Sequence, residues 1–143
     1  MYVDAQNQFS DSQAVTATAA STNLIDLSIA RNMGVGRDIY LVVSLSVAMT
    51  DAGSDSTVAV IAQTDALASF GSPVTAMTVG TFAATSAAGT RFVVKLQPDT
   101  IDEQFLRLYY TVAGGNLTTG SFDAFLTLDV QAYTDYASGY TVS

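Results

Sequence analysis

Apolar side chains recur at every second position through much of this chain, the spacing that lines one face of a β-strand. In the segment from Ile39 to Ala48, Ile39, Leu41, Val43, Leu45 and Val47 share a face, and Tyr40, Val42, Ser44, Ser46 and Ala48 share the other. Phe92, Val94 and Leu96 alternate with Arg91, Val93, Lys95 and Gln97, which predicts a half-buried antiparallel strand with one wet side. Leu106, Leu108, Tyr110 and Val112 alternate with Phe105, Arg107, Tyr109 and Thr111. Phe122, Ala124, Leu126, Leu128 and Val130 alternate in the same way with Asp123, Phe125, Thr127, Asp129 and Gln131. Weaker alternation at Gln13 to Thr18, Asn23 to Ile29, Thr57 to Thr64 and Val74 to Phe82 predicts further strands.

Between the runs lie NMGVGRD, TDAGSDS, FGSP, SAAGT, QPDTIDE and AGGNLTTGS. Their Gly, Asp, Asn, Ser and Pro residues supply the positive φ values and local side-chain caps that a turning backbone needs. About eight short strands at this spacing predict an all-β fold, a jelly-roll-like antiparallel β-sandwich. Strand order stays open, because hairpin and Greek-key connections share the same local pattern. Helix is confined to two candidates, the Ala-rich stretch from Asp65 to Phe70 and DTIDEQF before the Phe105 strand. The 143 residues fit one domain, with an N-terminal arm over 1–12, a sandwich over 13–132 and a C-terminal arm over 133–143.

Composition narrows the function. Charged residues make up 13% of the chain, against roughly 25% in an ordinary globular domain, so the surface is neutral and rich in Thr, Ser, Ala and Val. Such a surface suits contact with other proteins. The net charge is −8, and the five basic residues, Arg31, Arg37, Arg91, Lys95 and Arg107, are scattered, which argues against nucleic acid and against an anionic membrane. The longest apolar stretch, IYLVVSLSVAM, is about eleven residues, short of the roughly twenty that a membrane helix needs. The start, MYVDAQNQFSDSQ, lacks the basic and apolar segments of a secretory signal, and the expectation is a soluble chain made in the cytoplasm.

The chain has neither His nor Cys. That removes Ser-His-Asp and Cys-His nucleophile systems, imidazole acid–base chemistry, disulfides and zinc sites built on imidazole or thiolate. Glu103 is the single glutamate, and nothing sets two carboxylates across a cleft as a glycosidase requires. The expectation is no enzyme and no cofactor. Asp51, Gly53 and Asp55, with Ser54 and Ser56, offer oxygen atoms at alternating positions, a loose echo of a calcium loop without its closing glutamate. Asp and Gly between apolar runs equally describe a plain hairpin turn. Asp99, Asp102 and Glu103 read as a solvated connection rather than a metal site, and Gly34 and Gly36 as a turn rather than a phosphate loop.

More informative are apolar residues on faces that should be wet. Tyr40, Phe105, Tyr109 and Phe125 all stand opposite the core face of their strands, where Thr, Lys or Glu would be usual. The arms add Tyr2 and Phe9 at one end and Tyr133, Tyr136 and Tyr140 at the other. Tyrosine covers a large flat area while keeping a hydroxyl to bond, which suits interfaces, and these nine residues are the candidate protein-interface set. The plainer alternative is that loops and arms fold over the exposed faces and that the tyrosines close the ends of the sandwich.

The stretch DAQNQFSDSQAVTATAASTNLIDL, then GRDIYLVVSLSVAM and the acidic turn before STVAVIAQT, resembles the capsid cement, or decoration, proteins of short-tailed bacteriophages. The resemblance runs through most of the chain and is strongest from Asp4 to Thr64, where FSDSQAVTATAAST and the pair Asp26 and Leu27 are distinctive. It implies a small jelly-roll protein on the outer surface of the virion capsid, synthesised in the bacterial host cytoplasm. The implied partners are the major capsid protein, bridged between neighbouring capsomers, and a second copy in a homodimer. It brings no catalytic residues. The alternative is a virion tail or surface module that binds glycan or a host receptor, for which Tyr133 and Tyr136 beside Asp135 are the sequence candidates.

Overall fold

The computed structural model describes residues 4–130. Two antiparallel sheets face each other. Among the described residues nine strands build them: β1 (Gln8–Ala14), β2 (Ala19–Ala20), β3 (Ile25–Asp26), β4 (Tyr40–Thr50), β5 (Thr57–Asp65), β6 (Val74–Phe82), β7 (Arg91–Lys95), β8 (Phe105–Ala113) and β9 (Thr119–Thr127). One sheet runs β1-β9-β4-β7, and the other runs β8-β5-β6 with β2 and β3 both paired to the free side of β8. Taken together, β2 and β3 are one broken edge strand. Each sheet then has four positions, and, apart from the β5–β6 hairpin, the chain passes from one sheet to the other between successive positions, the topology of a jelly roll.

Period-two burial is what the pleat of a sheet packed on one side demands. Leu41, Val43 and Leu45 of β4 lie opposite Leu126, Ala124 and Phe122 of β9, all turned to the interior. Val58, Val60 and Ala62 of β5 meet them from the second sheet, with Leu108 and Tyr110 of β8 alongside. Phe82 packs edge-on against Phe92 and Phe122 with centroids 4.8 and 5.1 Å away, and Tyr110 stacks at a tilt on Phe122, 5.1 Å off. These four rings come from both sheets and tie one layer to the other, each edge-to-face contact adding about 1 kcal/mol beyond the area it buries.

Local structure departs from the sequence expectation where the ladder is irregular. Residues 8–12, expected in the N-terminal arm over 1–12, belong instead to β1, which begins at Gln8 and pairs with β9. This strand carries two register shifts, and Ser12 has a φ of 46°, so its alternation breaks and its sequence hides it. In β4 the inward row was expected to include Val47, yet Val47 is 45% exposed and Met49 takes the core position. A bulge against β9 between Leu45 and Val47 shifts the phase there. Neither helical candidate forms. Residues 66–72 make a turn beyond β5, 100–104 are irregular, and a single 3-10 turn at Ala5–Asn7, capped by Asp4, stands before β1.

The connections are tied down by backbone and side-chain bonds. Asn32 and Asp99 clasp the loop before β4 to the loop after β7, with the amide of Asn32 donating to the Asp99 carboxylate and the Asp99 N–H donating back at 2.9 Å. Met33 donates to the Ile101 carbonyl at 3.0 Å beside them. Among the described residues no buried side-chain nitrogen or oxygen lacks a partner.

Candidate interaction surfaces

The nine residues expected at an interface fall into different settings. Tyr2, Tyr133, Tyr136 and Tyr140 lie outside the described residues. Phe9 is a correction, since β1 turns its ring into the interior, where it is fully buried. Tyr40 and Phe125 stand on the outer face of the β1-β9-β4-β7 sheet, Phe105 and Tyr109 on the outer face of the other. The two pairs therefore point away from each other and cannot form one patch.

Phe125 needs a second correction. It faces outward as alternation requires, but Gln8 of β1 and Val42 of β4 flank it across the sheet, and it is only 7% exposed. Seen without β1, that flank looks open. Tyr40, Phe105 and Tyr109 are half-buried and keep accessible surface.

The outer face of the β8 sheet is the more distinctive. Tyr109 sits opposite Ile61 of β5 and Ala20 of β2, and the next row brings Arg107 opposite Gln63. The Arg107 guanidinium lies 4.1 Å from the Phe70 ring centre and 5.4 Å from that of Tyr109, and its Nε donates to Gln63 Oε1 at 2.9 Å. Asp65 makes this possible. Its two oxygens accept from the N–H groups of Leu67 and Ser72 at 2.9 and 3.0 Å, which holds the turn that lays Phe70 on the sheet. The sequence pattern does not bring this cluster together, because it puts Phe70 in a candidate helix and Arg107 on a separate strand. The available signal was an arginine between aromatics in an otherwise apolar alternation.

Two surface cavities accompany these faces. One, of about 540 Å³, opens beside Arg107 between the start of the fold, Ser21 to Leu24, and Phe70. The other, of about 450 Å³, is lined by Met33, Ile39, Leu126 and Leu128 together with Asp4 and Asp129.

The acidic loops are structural. Asp51 Oδ2 accepts from Ser56 Oγ at 2.8 Å and from the N–H groups of Ser56 and Asp55 at 3.2 and 3.3 Å, closing the turn between β4 and β5 on itself. The Ser56 hydroxyl above all holds the Asp51 carboxyl below its ordinary pKa. Asp26 is lowered likewise, by Gln104 and the Ser28 N–H, and Lys95 is raised by Asp38, 2.7 Å away. Among the described residues, no three carboxylates gather into a metal-binding group, and no helix is long and apolar enough to cross a membrane.

Fold and surfaces thus define a small jelly-roll β-sandwich whose outward sheet faces carry aromatic side chains. The Bbp16 family model matches residues 9–126, and the chain belongs to the Bbp16 family. No curated protein matches it.

Proposed function

We propose that this protein is a capsid cement protein, which binds the outside of a major capsid shell and bridges neighbouring capsomers. One observation carries the reading: outward aromatic residues stand on both sheets, Tyr40 on one side of the sandwich and Phe105 and Tyr109 on the other. A molecule with adhesive residues on opposed faces can touch two neighbours at once. The second contact then forms at high effective concentration, so modest interfaces suffice. The resemblance of residues 4–64 to decoration proteins of short-tailed phages supports the same role, as does a surface low in charge.

The test is co-sedimentation of the purified protein with expanded, mature shells, followed by heating of the decorated particles. Saturable binding and a raised shell melting temperature are expected, and replacing Phe105 and Tyr109 by Ser weakens binding while the free protein keeps its far-ultraviolet circular dichroism. Absence of shell binding, with binding on a glycan array instead, overturns the proposal in favour of a receptor-recognition module.

A further inference from the structure

We propose that the cavity beside Arg107 is a binding site for a carboxylate presented by an acidic polypeptide segment. Among the described residues that line it, Arg107 alone is charged, and the rest include the neutral polar residues Gln6, Ser21, Thr22 and Asn23. A half-buried cation in a neutral cleft is stabilised by an incoming anion far more than an exposed one would be.

The arginine is held ready. The guanidinium lies over the Phe70 ring and near that of Tyr109, and its Nε is committed to Gln63. Phe70 is itself fixed, with a φ of 49° and 6% exposure, by the turn that Asp65 caps. Asp65, the carboxylate two residues beyond Gln63 on β5, is spent on those two backbone N–H groups and forms no ion pair with Arg107. What remains for a ligand is the pair of terminal guanidinium amino groups, a fork that matches the two oxygens of a carboxylate. Because the side chain is already ordered, little rotamer entropy is lost when the ligand arrives.

Other ligand classes fit less well. A neutral sugar stacks its C–H face on an open aromatic ring, and the Phe70 ring is buried under the guanidinium. A nucleic acid needs several cations to neutralise successive phosphates, whereas this cleft offers one on a chain of net charge −8. A peptide carboxylate needs one fork, plus neutral donors and acceptors for its backbone.

The site stands apart from the shell proposal, because no shell enters its test. Isotope-labelled full-length protein is titrated with the capped tripeptide acetyl-Gly-Glu-Gly-amide, its Gln counterpart, N-acetylneuraminic acid and inorganic phosphate, following the Arg107 Nε–H signal and the amides of Thr22 and Asn23. The Glu peptide is expected to shift these signals saturably and to bind at least about tenfold tighter than the Gln peptide, since the charged hydrogen bonds are lost with the carboxylate. Arg107→Gln abolishes the preference and Arg107→Lys weakens it. Equal affinity for the two peptides, shifts that map elsewhere, tighter binding of the acidic sugar or phosphate, or an Arg107→Gln protein that still prefers Glu each overturns the proposal. Should Arg107→Gln not fold, the contrast between the two peptides on the unaltered protein decides.

Discussion

Ser10 Oγ and Tyr110 Oη lie 2.8 Å apart inside the sandwich, joining β1 of one sheet to β8 of the other through two fully buried residues. The direction of the bond follows from its surroundings. Gln13 Oε1 accepts from the Thr22 N–H at 2.8 Å while Gln13 Nε2 donates to the Ala20 carbonyl at 2.9 Å, which fixes the amide orientation. Ser10 then gives its one proton to Gln13 Oε1, 2.7 Å away, and the Tyr110 hydroxyl donates to Ser10. This chain of bonds runs from the core to the crossing between β1 and β2, and it orients the Gln8 to Asn23 corner beside the Arg107 cavity.

The phenol makes stability fall in alkali. Burial pushes the Tyr110 pKa up from 10.0 to about 12. Below pH 10 both folded and unfolded chains keep the proton. Between pH 10 and 12 the unfolded chain releases it and the folded one does not, so stability drops as pH rises, by about 2 kcal/mol over the window. Tyr110→Phe is expected to cost about 1 kcal/mol at neutral pH for the lost bond and to flatten this alkaline decline. Denaturant melts of the two proteins at neutral pH and near pH 11 check it, and a gap that does not narrow in alkali refutes it.

Gly114 is required by the turn after β8. Its φ is 89°, and a Cβ there would lie 2.7 Å from the backbone oxygen of Asp55, which cannot withdraw as a flexible side chain could. Gly114→Ala therefore combines a left-handed backbone with a collision. A loss of about 2 kcal/mol or more is expected. The same change at Gly89, whose φ is 91° but whose surroundings are open, costs less, so equal melting temperatures for the two variants would contradict the account.

How far the fold was legible depended on the ladder. β5 and β6 fall where alternation put strands, although the register shifts between them leave β6 without a regular inward row. β1 did not, since two bulges and the left-handed Ser12 scramble its period, and with it went the burial of Phe9 and the cover beside Phe125. Val47 was lost to a bulge for the same reason. The Arg107 cluster rests on contacts between residues 63, 70, 107 and 109, which strand periodicity alone cannot bring together. The turn at Asp51 was legible, because a side chain capping the backbone four and five residues on is local chemistry.

That turn supplies the third prediction. Asp51 accepts three hydrogen bonds within its own loop, and Ser56 also donates to the Gly115 carbonyl at 2.9 Å, linking the loop to the β8–β9 connection. Asp51→Ala is expected to lower the melting temperature, because the loop loses the acceptor that closes it. Because the lowered Asp51 pKa favours the folded state only while the group is ionised, its contribution fades as pH falls below the ordinary carboxylate range near 4. Millimolar calcium is expected to leave the melting temperature unchanged, as Asp51 Oδ2 is already occupied by three donors of its own loop; a rise that vanishes in Asp51→Ala would make the loop an ion site instead.

Gly80 is where backbone and aromatic core meet most closely. It lies on β6 opposite Val60, at a register shift that brings it level with Phe92 of the facing sheet. A Cβ at this position would sit 3.0 Å from the Phe92 ring, which also packs edge-on with Phe82 at 4.8 Å. The ring cannot retreat without disturbing Phe82, and Phe82 in turn holds Phe122. Gly80→Ala is thus expected to cost about 1 to 3 kcal/mol even though alanine suits a strand no worse than glycine. A smaller partner should relieve it: Phe92→Leu alone loses packing, but in the Gly80→Ala background it costs less than it does alone. A double-mutant cycle in denaturant measures the coupling between the two sites, and strictly additive losses would mean that the sheets shift apart rather than that the rings collide.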